Sequence, residues 1–125
     1  MPSAVAPTLP LAFHTATVPT AGATVVEVSG EIDLFVEDTL EHALSAAMEG
    51  SAAVLVDLSG CSLFGSTGLN AMARAQRESQ MQAFAFAVIA PPGGQCRFVL
   101  ELGLSEPLQV FDDRSSGLEA LRPRA

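Results

Sequence analysis

Apolar residues at 36, 40, 43, 44, 47 and 48 recur three and four apart, with Glu37, Asp38, Glu41, His42 and Ser45 set between them. That period predicts a helix with one face turned to a core. Asp33, just ahead, is a side chain suited to accept from the free amides of a first helical turn, and Gly50 and Ser51 end the run. Residues 53–58, AVLVDL, are apolar on both faces except at Asp57, the pattern of a central strand. Residues 84–90 form a second buried strand, broken by Pro91-Pro92-Gly93-Gly94. Residues 24–29 read as a strand through Val25 and Val26, and residues 11–18 alternate weakly, as an edge strand does. Pro19, Thr20, Ala21 and Gly22 supply the turn between them, which makes an initial hairpin, and residues 30–33 connect onward.

Helical spacing returns over residues 69–79 through Leu69, Met72, Ala73 and Gln76. It returns again over 95–102, where Gly103 stops the helix and Leu104 is placed to pack on the glycine cap. Residues 108–111 read as a last strand, and Ser116 with Glu119 form a capping box for a short helix through Leu121. The order β-β-α-β-α-β-α-β-α predicts an α/β fold: a mainly parallel sheet with an initial hairpin and helices packed against it. The 125 residues suit one domain, taken as residues 11–121 behind a loose, Pro-rich tail at 1–10.

Charge narrows the partners. The formal net charge is -8, and all six basic residues are arginines, the first of them Arg74. Ahead of it lie Glu27, Glu31, Asp33, Glu37, Asp38, Glu41, Glu49 and Asp57. An acidic half repels phosphate backbones and anionic lipid, so neither nucleic acid nor a membrane is an expected direct partner, and a basic protein surface is a better one. The same acids also suit a solvated face. The first ten residues lack the charge and apolar stretch of a signal peptide, which makes a cytoplasmic address the expectation. Cys61 and Cys96 form no disulfide framework or zinc motif and read as small packed hydrophobes in a reduced compartment. His14 and His42 stand apart from each other and from both cysteines, so no metal and no cofactor is implied.

Chemistry concentrates in residues 57–70, DLSGCSLFGSTGLN. A strand ends, a Gly/Ser-rich loop over residues 59–68 presents Ser66 and Thr67, and a helix follows, which sets a hydroxyl over unpaired amides. Ser66 reads as a capping serine and equally as a phosphorylation site, and one residue can serve as both. Catalysis has little support: Phe64 takes the first glycine position of a Gly-x-Ser-x-Gly elbow, and the absence of lysine excludes a phosphate-binding loop. Asp57 either modulates Ser66 from nearby or caps the strand end.

Three segments in this order resemble the STAS domains of bacterial anti-sigma-factor antagonists. Gly30-Glu31-Ile32-Asp33 resembles the family's turn before its first helix; VLVDLSGCSLFGSTGL resembles its central strand and loop; VLELGLSEPLQVF resembles its late segment. The resemblance spans about residues 11–121 and implies a binding protein, not an enzyme. Its implied partner is an anti-sigma-factor serine kinase, which the dephosphorylated antagonist binds and whose phosphorylation of the antagonist breaks the complex. By position it implies Ser66 as the phosphorylated serine, and Asp33, Gly65, Ser66, Thr67 and Gly68 as the contact surface of a monomer or weak dimer. Gly65 stands where the family carries an acid. A STAS scaffold without the switch, serving a stress-signalling or lipid-transport complex, therefore stays open beside the antagonist.

Overall fold

In a computed structural model, residues 14–20, 22–103 and 108–121 are described, and the predicted order of elements is the observed one. Strands β1 (His14–Thr20), β2 (Ala23–Ile32), β3 (Ala53–Phe64), β4 (Ala85–Ile89) and β5 (Val110–Phe111) form one sheet in the order β1-β2-β3-β4-β5. β1 and β2 are antiparallel, and every later pairing is parallel. Helices α1 (Glu37–Glu49), α2 (Ser66–Gln82), α3 (Gln95–Gly103) and α4 (Arg114–Leu121) supply the cover. No helix among the described residues is long and apolar enough to cross a membrane.

The period-two alternation of the strands divides the core between the two faces of the sheet. Val26, Val54, Val56, Phe86 and Val88 join Leu40, Leu44, Met72 and Leu100 of α1, α2 and α3 in one buried cluster. Val25, Leu55, Ala87 and Ile89 meet Leu121 of α4 in a second. The buried stripe of α2 is Met72 with the small residues Gly68, Ala71, Ala75 and Ser79, whose weak hydropathy hides them from a periodicity reading. They let α2 lie close to the sheet.

Several boundaries differ from expectation, each for a physical reason. Pro19 and Thr20 belong to β1 and not to the turn, since Pro19 lies on an edge strand, where a missing N–H is tolerated. The expected connection at 30–33 is mostly strand: Gly30 pairs with Cys61, Glu31 with Leu63 and Ile32 with Phe64, across register shifts. Gly30, at φ +90, reads as a turn in sequence and serves a bulged ladder here. Asp33 caps a short 3-10 turn, Leu34–Val36, accepting from Phe35 N at 3.0 Å; α1 itself begins at Glu37 without a side-chain cap. At the other end α4 starts at Arg114, because Asp113 and not Ser116 caps it, accepting from Ser116 N at 2.8 Å. The expected domain limits and tail reach beyond the described residues at 1–13, as does Leu104.

Candidate functional site

The predicted loop over 59–68 is not a loop. Paired with the end of β2, β3 runs to Phe64, and α2 starts at Ser66, so a single residue, Gly65, turns the chain. Ser66 is thus the first residue of the helix and not its cap; Gly65 is the cap, with extended backbone and no side-chain bond. Leu69 N donates to Gly65 O at 3.0 Å, the first helical bond, so the amides of Ser66, Thr67 and Gly68 have no carbonyl within the helix. Ser66 is exposed, Thr67 half-buried and Gly68 buried. Three donors stand at the positive end of a helix that has no acid in its first turn, an arrangement favourable to negative charge.

The corner is braced from both sides. An ideal Cβ on Gly68 falls 2.5 Å from Phe64 Cε1, so the fully buried Phe64 ring occupies the space that any other residue here would need. From α3, Gln95 clamps the same residue: Phe64 N donates to Gln95 Oε1 at 2.8 Å, and Gln95 Nε2 donates to Phe64 O at 3.0 Å. Sequence reasoning missed Gln95, a polar residue at a helix start that carries no local sign of a partner thirty-one positions away. Asp33 lies on the same side by connectivity, one residue after Ile32, which pairs with Phe64.

Around the corner the surface is apolar and acidic. Leu34 and Phe35 are 71% and 94% exposed on the 3-10 turn, and Phe98 and Leu102 are 62% and 72% exposed on α3. Leu63 is also exposed beside Phe64. Glu31, Asp33, Glu37 and Asp38 stand along the end of β2 and the start of α1. Part of the acidic half is neutralised in three dimensions: Arg74 pairs with Glu41, and Arg114 with Glu27 at 2.5 Å and Asp57 at 2.7 Å.

Asp57 stands apart from this corner. Seven residues of strand separate it from Phe64, roughly 20 Å at the usual rise. Its Oδ1 accepts from Ser59 N at 2.9 Å and its Oδ2 from Arg114 Nη2 at 2.7 Å. Burial would lift its pKa, but the bonds from Ser59 and Arg114 outweigh burial and hold the carboxyl below its ordinary value. Its work is to join α4 to the strands. Among the described residues no group of three or more His, Cys, Asp or Glu side chains is placed to hold a metal ion.

The comparisons agree with this architecture. Residues 16–110 match the family model described as "Mlab, STAS domain". The anti-sigma-F factor antagonist RsfB of Mycobacterium tuberculosis is 30% identical over 102 residues, which are 81% of this chain and 83% of that protein. A crystal structure of an anti-sigma factor antagonist from Mycobacterium paratuberculosis superposes with a TM-score of 0.79 at 30% identity, covering 91% of this chain and 97% of the other. A STAS domain protein from Planctomyces limnophilus, at 23% identity, shares the fold with a TM-score of 0.70 over 86% of this chain and 96% of its own. A five-stranded sheet opened by a hairpin, a serine at the first position of the second helix and a family match across most of the chain give one conclusion: this protein belongs to the STAS domain family.

Proposed function

We propose that this protein is an anti-sigma-factor antagonist that binds an anti-sigma-factor serine kinase through the Ser66 corner and is released when that kinase phosphorylates Ser66. The observation that carries the proposal is the placement of Ser66: exposed, at the first position of α2, over free amides and beside an exposed apolar rim. The names of the mycobacterial relatives support the antagonist role. Leu34, Phe35, Phe98 and Leu102 supply the apolar contact, and Glu31, Asp33, Glu37 and Asp38 favour a basic partner surface. A phosphate adds about -1.5 to -2 charges. The helix start tolerates it in the free protein, whereas a partner packed over the corner has to desolvate it. The role is one of binding in the cytoplasm, without catalysis or a cofactor.

The test is a capture from the source organism's lysate with wild-type, Ser66→Ala and Ser66→Asp baits, and identification of the bound proteins by mass spectrometry. The expected result is an ATP-binding kinase on wild type and Ser66→Ala, its recovery falling on the order of tenfold with Ser66→Asp. Incubation of the recovered kinase with ATP then adds one phosphate to wild type and none to Ser66→Ala. Equal recovery of a multi-subunit complex by all three baits, with no kinase among its members, favours the second reading. In that reading the protein is a constitutive STAS assembly subunit, and Gly65, in the place of the family's acid, is the residue that supports it.

A further inference from the structure

Cys61 and Cys96 lie 35 positions apart in sequence, and the extension of β3 brings them together. Cys61 sits half-buried near the end of β3, three residues before Phe64; Cys96 is buried in the first turn of α3, next to Gln95. Both belong to the same apolar cluster. Cys96 Sγ approaches Cys61 O at 3.9 Å, and Cys61 Sγ donates to Leu63 O at 3.2 Å. Among the described residues no third His, Cys, Asp or Glu joins them in a group placed to hold a metal ion.

We propose that Cys61 and Cys96 are a reversible redox pair, closed by a peroxide to a disulfide that pins the Ser66 corner to α3. The roles are asymmetric. Cys96, lying beside it, lowers the pKa of the Cys61 thiol against its partial burial, so Cys61 loses its proton more readily than an ordinary thiol. The neighbouring Cys61 and burial push Cys96 up, keeping it a thiol. The half-exposed Cys61 thiolate attacks one peroxide oxygen; the O–O bond breaks, an S–O bond forms, and hydroxide leaves to become water. Cys96 sulfur then attacks Cys61 sulfur, the S–S bond forms as the S–O bond breaks, and the departing hydroxide takes the Cys96 proton. Two thiols lose two electrons and two protons, and one hydrogen peroxide becomes two waters. Burial of Cys96 reserves it for the second step and shields it from direct oxidation.

A sulfur–sulfur bond is shorter than a thiol–thiol contact, so closure draws the end of β3 toward α3. Gln95, adjacent to Cys96, already holds both backbone groups of Phe64. The covalent link therefore tightens a connection that ends one residue from Gly65. Formation of the bond stands on the placement of the two thiols alone, and its bearing on partner binding rests on the proposed role of Ser66.

The experiment treats the full chain with dilute hydrogen peroxide and follows intact mass, a non-reducing peptide map and amide hydrogen exchange. The expected product is a monomer lighter by two hydrogens, with a linked Cys61–Cys96 peptide, reversed by dithiothreitol. Exchange over residues 61–69 slows on the order of tenfold in the oxidised form. Cys61→Ser and Cys96→Ser each abolish the linked peptide; if Cys96→Ser unfolds, Cys61→Ser, at the more exposed position, serves as the control. Ser66→Asp closes the same bond, so failure of the phosphorylation switch leaves this outcome readable. Oxygen added to Cys61 without a link, dimers joined between molecules, or unchanged exchange in the linked protein would each overturn the proposal.

Discussion

Gly68 has little freedom to change. The Phe64 ring stands where its Cβ would go, with Cε1 at 2.5 Å and Cδ1 at 2.6 Å, and that ring is fully buried. Gly68→Ala should therefore cost about 2 kcal/mol through overpacking, and Gly68→Val more, read as a lower midpoint in chemical denaturation. Phe64→Leu in the Gly68→Ala background should recover part of the loss, so that the double variant is less destabilised than the sum of the singles. Additive losses would show that the ring is not the obstacle. Sequence reasoning singled out Ser66 and Gly68 because a Gly/Ser cluster between two apolar runs marks a junction. Any Cβ at position 68 meets the ring, whatever the rest of the side chain. Gln95, Cys61 and Cys96 were opaque for a common reason: each acts through a contact made only after distant segments pack.

Among the elements, α4 shows how one short helix is kept on a sheet. It is eight residues long, and ionic contacts join its apolar packing: Arg114 reaches Asp57 on β3 and Glu27 on β2, Asp113 caps its start, and Leu121 is buried against the sheet. Hydrogen bonds from Ser116 hold the Asp113 carboxyl below its ordinary value, as those from Ser59 and Arg114 do for Asp57. A depressed folded pKa means that the stabilisation is complete above the unfolded value of about 4 and is lost as pH falls through the lower folded value. Asp57→Asn should cost about 1 kcal/mol at neutral pH, a modest figure because the Arg114 side chain is 36% exposed. As pH falls through and below the depressed folded-state value, the variant and wild type should converge in thermal unfolding. A constant gap across that range would mean that Asp57 acts through packing and not through charge. Elements whose signal is internal were readable in advance: α1 through its apolar stripe, and β4 through an apolar run between polar and Pro-Gly flanks. The far halves of β2 and β3 were not, since Gly30, Ser59, Gly60 and Ser62 are loop residues by composition and become strand only by pairing with each other's segments.

For the molecule as a whole, the charge asymmetry of the sequence becomes a spatial one. Arginines from the second half neutralise Glu27, Glu41 and Asp57, while Glu31, Asp33, Glu37 and Asp38 stay gathered where β2 hands over to α1. A partner guided by that lip should associate more slowly as salt rises, on the order of tenfold between low and high ionic strength, with dissociation little changed. Stopped-flow association across a salt series reads this directly, and a flat rate would remove the acids from the encounter. The fold class was readable at this scale because alternating strand and helix signals constrain topology more tightly than any boundary. Acid placement was not, because it depends on which arginine folds back onto which strand.

The two rims of the sheet carry a last consequence. β1 includes Pro19, which has no N–H to offer, and β5 contributes only two residues. A neighbouring chain seeking to extend the sheet meets an interrupted row of donors on one side and almost no template on the other. Fibril-like growth by strand addition is thereby discouraged, even though Leu34, Phe35, Phe98 and Leu102 leave apolar surface exposed elsewhere on the molecule.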